Sequence, residues 1–170
     1  MVSKIKSSKK EYINTEKYAL ILLLFGYVLG ILIGCFFVYS NAENAELINN
    51  LIKDSYVKKL IYFISALILK YSGILSGAIC TLPIFSGIQN SAYYCSYILN
   101  SDKKIIYKIV LKMLSDTALT ILLILYLIII INQIANKKYN LKKDFKYFSV
   151  YIGGSSIIII LKYVLENFIF

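Results

Sequence analysis

Apolar residues fall into four long blocks, Tyr18–Ser40, Leu60–Leu99, Thr117–Ile134 and Tyr147–Phe170, separated by polar stretches that carry most of the lysines. Crossing a bilayer as a helix takes about 20 apolar residues. The first, third and fourth blocks each predict one span. The second is long enough for two tight spans at about 1.5 Å of rise per residue. Pro83 marks the expected break between them, because proline removes a helix donor and disfavours helix in the residue before it. A re-entrant hairpin is the alternative reading of that block. Two further segments are amphipathic. In residues 41–57, Leu47, Ile48, Leu51 and Ile52 recur at helical spacing, which predicts a surface helix or an ordinary solvated turn. In Ser101–Asp116, Lys104, Lys108 and Lys112 share one face and Ile105, Ile106, Ile109, Val110 and Met113 the other. That pattern fits an interfacial helix against anionic headgroups, or equally a charged flank leading into the next span. The expected fold class is all-α: a polytopic transmembrane helix bundle of about five spans plus one or two interfacial amphipathic helices. Residues 1–17 form a basic cytoplasmic tail and 18–170 a single transmembrane helical domain.

Small residues mark the faces expected to pack. Gly26, Gly30 and Gly34 stand four apart on the first span, which has neither charge nor proline. A glycine stripe lets another helix backbone approach closely, and close contact drives helix association in lipid. Gly73 with Gly77, and Gly87 with Ser91 and Cys95, repeat the spacing on either side of Pro83. Thr117–Ile134 has no such stripe and is expected to face lipid over much of its surface. The candidate polar contacts at membrane depth are Gln89, Asn90, Asp116 and Glu166, since intramembrane polar groups face protein or water rather than lipid. Lys162 stands one turn before Glu166, where it can pair with it or snorkel to the interface.

Composition narrows the function classes. The chain is 59% hydrophobic over 170 residues, with a mean hydropathy of +0.70. Soluble domains average about 45–50% apolar, so a membrane protein with little room for a soluble domain is indicated. All 19 basic residues are lysine, giving a net charge of +10. They flank apolar spans, as topology signals do, and no basic-aromatic nucleic-acid module is visible. The basic start favours a cytoplasmic N-terminus and an uncleaved anchor, although Ser40-Asn41-Ala42 resembles a small-x-small cleavage site. Five spans would then put the loop at 137–146 inside and Lys103–Lys112 outside. Histidine is absent, which removes the commonest general base and metal ligand. Cys80 and Cys95 would lack the usual base as nucleophiles, and Cys35, Cys80 and Cys95, without metal-ligand spacing, read as small core residues rather than a disulfide or a metal site. Neither enzymatic activity nor a cofactor or metal is expected.

In order along the chain, several motifs resemble the stage II sporulation protein M family of small polytopic membrane proteins. They are the spaced glycines Gly26, Gly30 and Gly34, the turn Thr81-Leu82-Pro83-Ile84 inside a long apolar block followed by small residues, and the closing run Ile158–Phe170 with its late Glu166. The chain departs from the family in having Asp116 where prolines are expected, and Lys162 where the family is apolar. The resemblance implies a non-enzymatic scaffold in the bacterial cell membrane that supports a peptidoglycan-remodelling complex during forespore engulfment. Its partners would be membrane lipid and other membrane or cell-wall proteins, wall hydrolases among them, with a homo-oligomer through glycine-lined faces as a further expectation. The alternative is the membrane subunit of a transporter, an ABC-type export or small-substrate binding component, which would need an energising partner because no ATP-binding motif is present.

Overall fold

Helix ends and inter-helix contacts organise the described residues into five main helices that alternate in direction. The computed structural model describes residues 2–44, 48, 55–99 and 106–168; side chains are described from Glu16 onward, except at 55, 74, 75, 97–99, 106–108, 166 and 168. We label the helices α1 (Val2–Ser40), α2 (Ser55–Tyr71), α3 (Leu82–Leu99), α4 (Ile106–Ala135) and α5 (Leu141–Phe168), with a 3-10 segment, Gly73–Thr81, joining α2 to α3. The pairs Lys59–Asp116 and Lys70–Gln133 set α2 parallel to α4. The contacts of Thr120 with Ser86 and Asn90, and of Tyr94 with Asp116, set α3 antiparallel to α4. One end of the bundle therefore gathers Glu16, Lys70, Asn132 and Asp144, and the other Ser40, Tyr56, Lys112 and Lys162.

Among the described residues, three helices are long and apolar enough to cross a membrane, within Glu16–Ser40, Ile109–Ala135 and Leu141–Leu165. This corrects the expectation of about five spans plus interfacial helices. The physical reason lies in the Leu60–Leu99 block. Its first helix has 17 residues, about 25 Å of rise against a core of about 30 Å, and it carries Lys58, Lys59 and Lys70. Its second helix interrupts its apolar run with Ser86, Gln89, Asn90 and Ser91. The two form a helical hairpin, with α2 packed on α4 and α3 packed on α1. The break between them lies upstream of Pro83, at Gly73 with φ +58°, a left-handed conformation that glycine adopts without cost. Pro83 is the second residue of α3, in the first turn, where a missing N–H leaves no helical bond unmade.

The expected interfacial helix at Ser101–Asp116 is not a separate element among the described residues. From Ile106 the chain runs unbroken to Ala135, so Lys112 and Asp116 belong to the same helix as the span that follows. The amphipathic segment expected within 41–57 lies largely outside the described residues; Ile48 is described and buries against Val38 and Ala92. α1 is helical from Val2, through the segment expected as a tail.

Burial also redistributes the spans. Of the α4 span 44% is buried, against 28% for α1 and 6% for α5. The segment expected to face lipid is thus the centre of the bundle: Leu123, Ile124, Tyr126, Leu127 and Ile130 form the core with Leu23, Phe63, Ala66, Ile79 and Leu82. A helix apolar all round gives no sign of which side is covered, and here α1, α2, α3 and α5 all pack on it.

Candidate functional site

The closest helix contact is α1 on α3, and it is made of glycines. A Cβ on Gly30 would stand 2.9 Å from the Ile84 carbonyl carbon and 3.0 Å from its Cα. One on Gly34 would stand 2.6 Å from the Ile88 oxygen, and one on Gly87 2.9 Å from the Ile31 nitrogen. Real Cβ atoms do not approach backbone so closely, so these three positions exclude any side chain. Gly26 is looser, 3.3 Å from the end of Ile84. Gly73 and Gly77 face no neighbour within 4 Å. The stripe on α1 is therefore occupied by a helix of the same chain.

Behind this contact a polar spine crosses the interior. Asn90 of α3 donates to the Tyr27 hydroxyl of α1 at 3.0 Å and to Thr120 of α4 at 3.2 Å. The Thr120 hydroxyl donates to the Asp116 carbonyl at 2.8 Å. Its proton is thereby committed, so Ser86, 3.2 Å away, is the donor in their contact. One turn back, the Asp116 carboxylate receives the Lys59 ammonium at 2.8 Å, with both side chains essentially inaccessible. The Tyr94 hydroxyl lies 3.4 Å from its other oxygen. The spine ends on aromatic rings: the Lys112 ammonium stands 3.6 Å from the Tyr93 ring centre and 5.3 Å from that of Tyr56, and Lys162 stands 4.6 Å from Tyr56. Ring quadrupoles attract such cations.

A second buried ion pair closes the other end of α2. Lys70 donates to Asp144 of α5 and, at 2.7 Å, to the Gln133 oxygen of α4, while the Tyr71 hydroxyl also donates to Asp144. Asp144 is in the first turn of α5, where the helix dipole favours an anion, and Asn140 caps that turn through the Lys143 N–H at 3.2 Å. Lys59 and Lys70 are each 1% exposed and stand about three turns apart on one face of α2. A charge buried in a bundle must be paired, and these two pairs make a short, charged helix compatible with an apolar surround. Beyond the second pair an open cleft of about 580 Å³ lies between α4, α5 and Glu16 of α1, lined also by Asn132, Gln133, Lys137, Lys138 and Lys143. Asn132 donates to Glu16 there at 2.9 Å.

Of the polar positions singled out in the sequence, Asn90 and Asp116 meet in the spine, and Gln89 is buried beside them. The Gln89 and Asn90 side-chain oxygens have no hydrogen-bond partner among the described residues. Lys112 is buried at the ring cluster. Lys104 and the side chains of Lys108 and Glu166 lie outside the described residues. Sequence reasoning missed Lys59, Lys70 and Asp144. The spacing of the two lysines on one face of an apolar helix was a readable signal. Asp144 was hidden among the five lysines of the 137–146 stretch. Among the described residues no group of three potential metal ligands occurs.

Compared with protein-family models, curated proteins and solved structures, the chain matches none. Its fold and composition define a polytopic helical membrane protein. The likeness to the stage II sporulation protein M family rests on the quoted motifs alone.

Proposed function

We propose that the protein is a non-catalytic membrane scaffold, held rigid inside so that its outer helices can carry other proteins. The observation that supports this most is that the two buried charges of α2, Lys59 and Lys70, are neutralised within the chain by Asp116 and Asp144, while few residues of the α5 span are fully buried. Such a bundle offers lipid or a partner a long apolar face. The sequence likeness to the stage II sporulation protein M family supports a bacterial peptidoglycan-remodelling assembly as its setting, with wall hydrolases doing the cutting. The lysines of the N-terminal segment and of the 137–146 stretch lie toward one end, which the positive-inside rule assigns to the cytoplasm. A crosslinked pull-down from growing and from sporulating cells tests the reading. Recovery of wall hydrolases in sporulating cells, lost in a variant bearing bulky residues on the outer face of α5, supports it.

One observation favours the transporter alternative: the unpaired oxygens of Gln89 and Asn90 inside the bundle. Recovery of an ATPase in growing cells, with flux in vesicles lowered by Gln89→Leu, would establish that reading instead.

A further inference from the structure

Three cysteines are free in this structure, and two of them face each other. The Cys95 sulfur of α3 lies 3.3 Å from the Cys35 sulfur of α1, across sixty residues of sequence. The pair sits on the helix contact that Gly30, Gly34 and Gly87 close, where neither backbone can withdraw without opening the glycine seam. It also lies within two turns of the ends of α1 and α3, Ser40 and Leu99. That is the bundle end away from Lys137, Lys138 and Lys143. Cys80, in the 3-10 segment, lies beside Gly26, near the middle of the α1 span.

We propose that Cys35 and Cys95 are an oxidisable dithiol, and that their disulfide is a covalent clamp of α1 on α3. The oxidant is a disulfide, carried by a small thiol or by a thiol oxidoreductase. One cysteine, as thiolate, attacks the oxidant's disulfide, releases one thiol and forms a mixed disulfide. The second attacks the protein sulfur of that bond, releasing the other thiol and closing Cys35–Cys95. Each cysteine loses one hydrogen; the oxidant gains both and becomes two thiols. Disulfides form and persist outside the cytoplasm. If the lysine-rich end faces the cytoplasm, the pair lies toward the oxidising side, and Cys80 lies deeper in the bundle, beside Gly26. The clamp fastens the contact on which the fold most depends, closing a loop of about sixty residues in the unfolded chain, which stabilises mainly by restricting that chain.

Membranes holding the full chain are equilibrated in glutathione buffers of rising oxidised fraction, acid-quenched, and labelled with a maleimide-polyethylene glycol. The expected result is a shift from three labels to one, with a Cys35–Cys95 linked peptide by mass spectrometry and Cys80 still labelled. The shift is absent in Cys35→Ser and in Cys95→Ser. A Gly30→Leu chain, with the seam pushed apart, should form the bond at least about tenfold more slowly, since the fixed proximity of the thiols is lost. Three labels throughout the buffer series would overturn the proposal. So would oxidation that links Cys80 as readily as Cys35 and Cys95, or an unchanged rate in Gly30→Leu.

Discussion

At single residues the interior is governed by unequal costs. Pairing Lys59 with Asp116 makes two desolvated charges tolerable, but removing one leaves the other buried and uncompensated, which costs about 3–5 kcal/mol. Asp116→Ala is therefore expected to lower the thermal unfolding midpoint of the detergent-solubilised protein sharply. The double variant Lys59→Met, Asp116→Leu should recover most of the loss, because it removes the charges together and keeps the volume. A double variant as unstable as Asp116→Ala alone would show that the pair does more than neutralise itself. Asn90 sets the comparison. Its two hydrogen bonds join neutral groups, and such interhelical bonds in membrane bundles average about 0.6 kcal/mol. Asn90→Leu is thus expected to cost several-fold less than Asp116→Ala in the same assay. Sequence reasoning reached Asn90 and Asp116 as polar positions at depth. It passed over Lys59, although its spacing from Lys70 on one face of an apolar helix was readable; the partner was not, because a pair is a fact about two helices.

Among the helices, α1 and α3 depend on each other through absent side chains. At Gly30 an added Cβ would stand 2.9 Å from a backbone carbon that cannot yield. Gly30→Ala should accordingly destabilise by about 1–3 kcal/mol, the usual range for overpacking. Gly153 lies on α5 with nothing among the described residues within 4 Å, so Gly153→Ala should keep or raise the unfolding midpoint, since alanine is the better helix former. Equal effects at the two sites would mean that glycine acts here through the helix backbone rather than through the seam. The spacing of Gly26, Gly30 and Gly34 was visible from the sequence, as was the helical character of α1. The target of the stripe was not, since a glycine face specifies close approach and not what approaches. The hairpin of α2 and α3 was misread for a related reason. Hydropathy sees Leu60–Leu99 as one apolar block, whereas its crossing ability depends on where Gly73 breaks it and on two lysines whose charges are neutralised by distant residues.

For the whole molecule the number of membrane crossings and the sidedness separate. The hairpin of α2 and α3 enters and leaves from the end that holds Ser40 and Lys162, so it adds no net crossing between α1 and α4. The sides assigned to the remaining segments consequently do not depend on how deeply the hairpin reaches. α1 is long and apolar enough to cross between Glu16 and Ser40, and α4 to return between Ile109 and Ala135. The N-terminal segment and the α4–α5 loop must then share one side, with Asn44 on the other. Single cysteines at Ser3, Asn44 and Lys138, each in a chain with Cys35, Cys80 and Cys95 replaced by serine, read this directly. A membrane-impermeant maleimide applied to intact cells should label only Asn44→Cys, and inside-out vesicles should reverse the pattern. The lysines of the cleft, Lys137, Lys138 and Lys143, would then face the cytoplasm, as the charge rule requires. Labelling of Asn44→Cys and Lys138→Cys from the same side would mean that α1 and α4 do not run as an antiparallel spanning pair, and it would remove the basis for the oxidising location of Cys35 and Cys95.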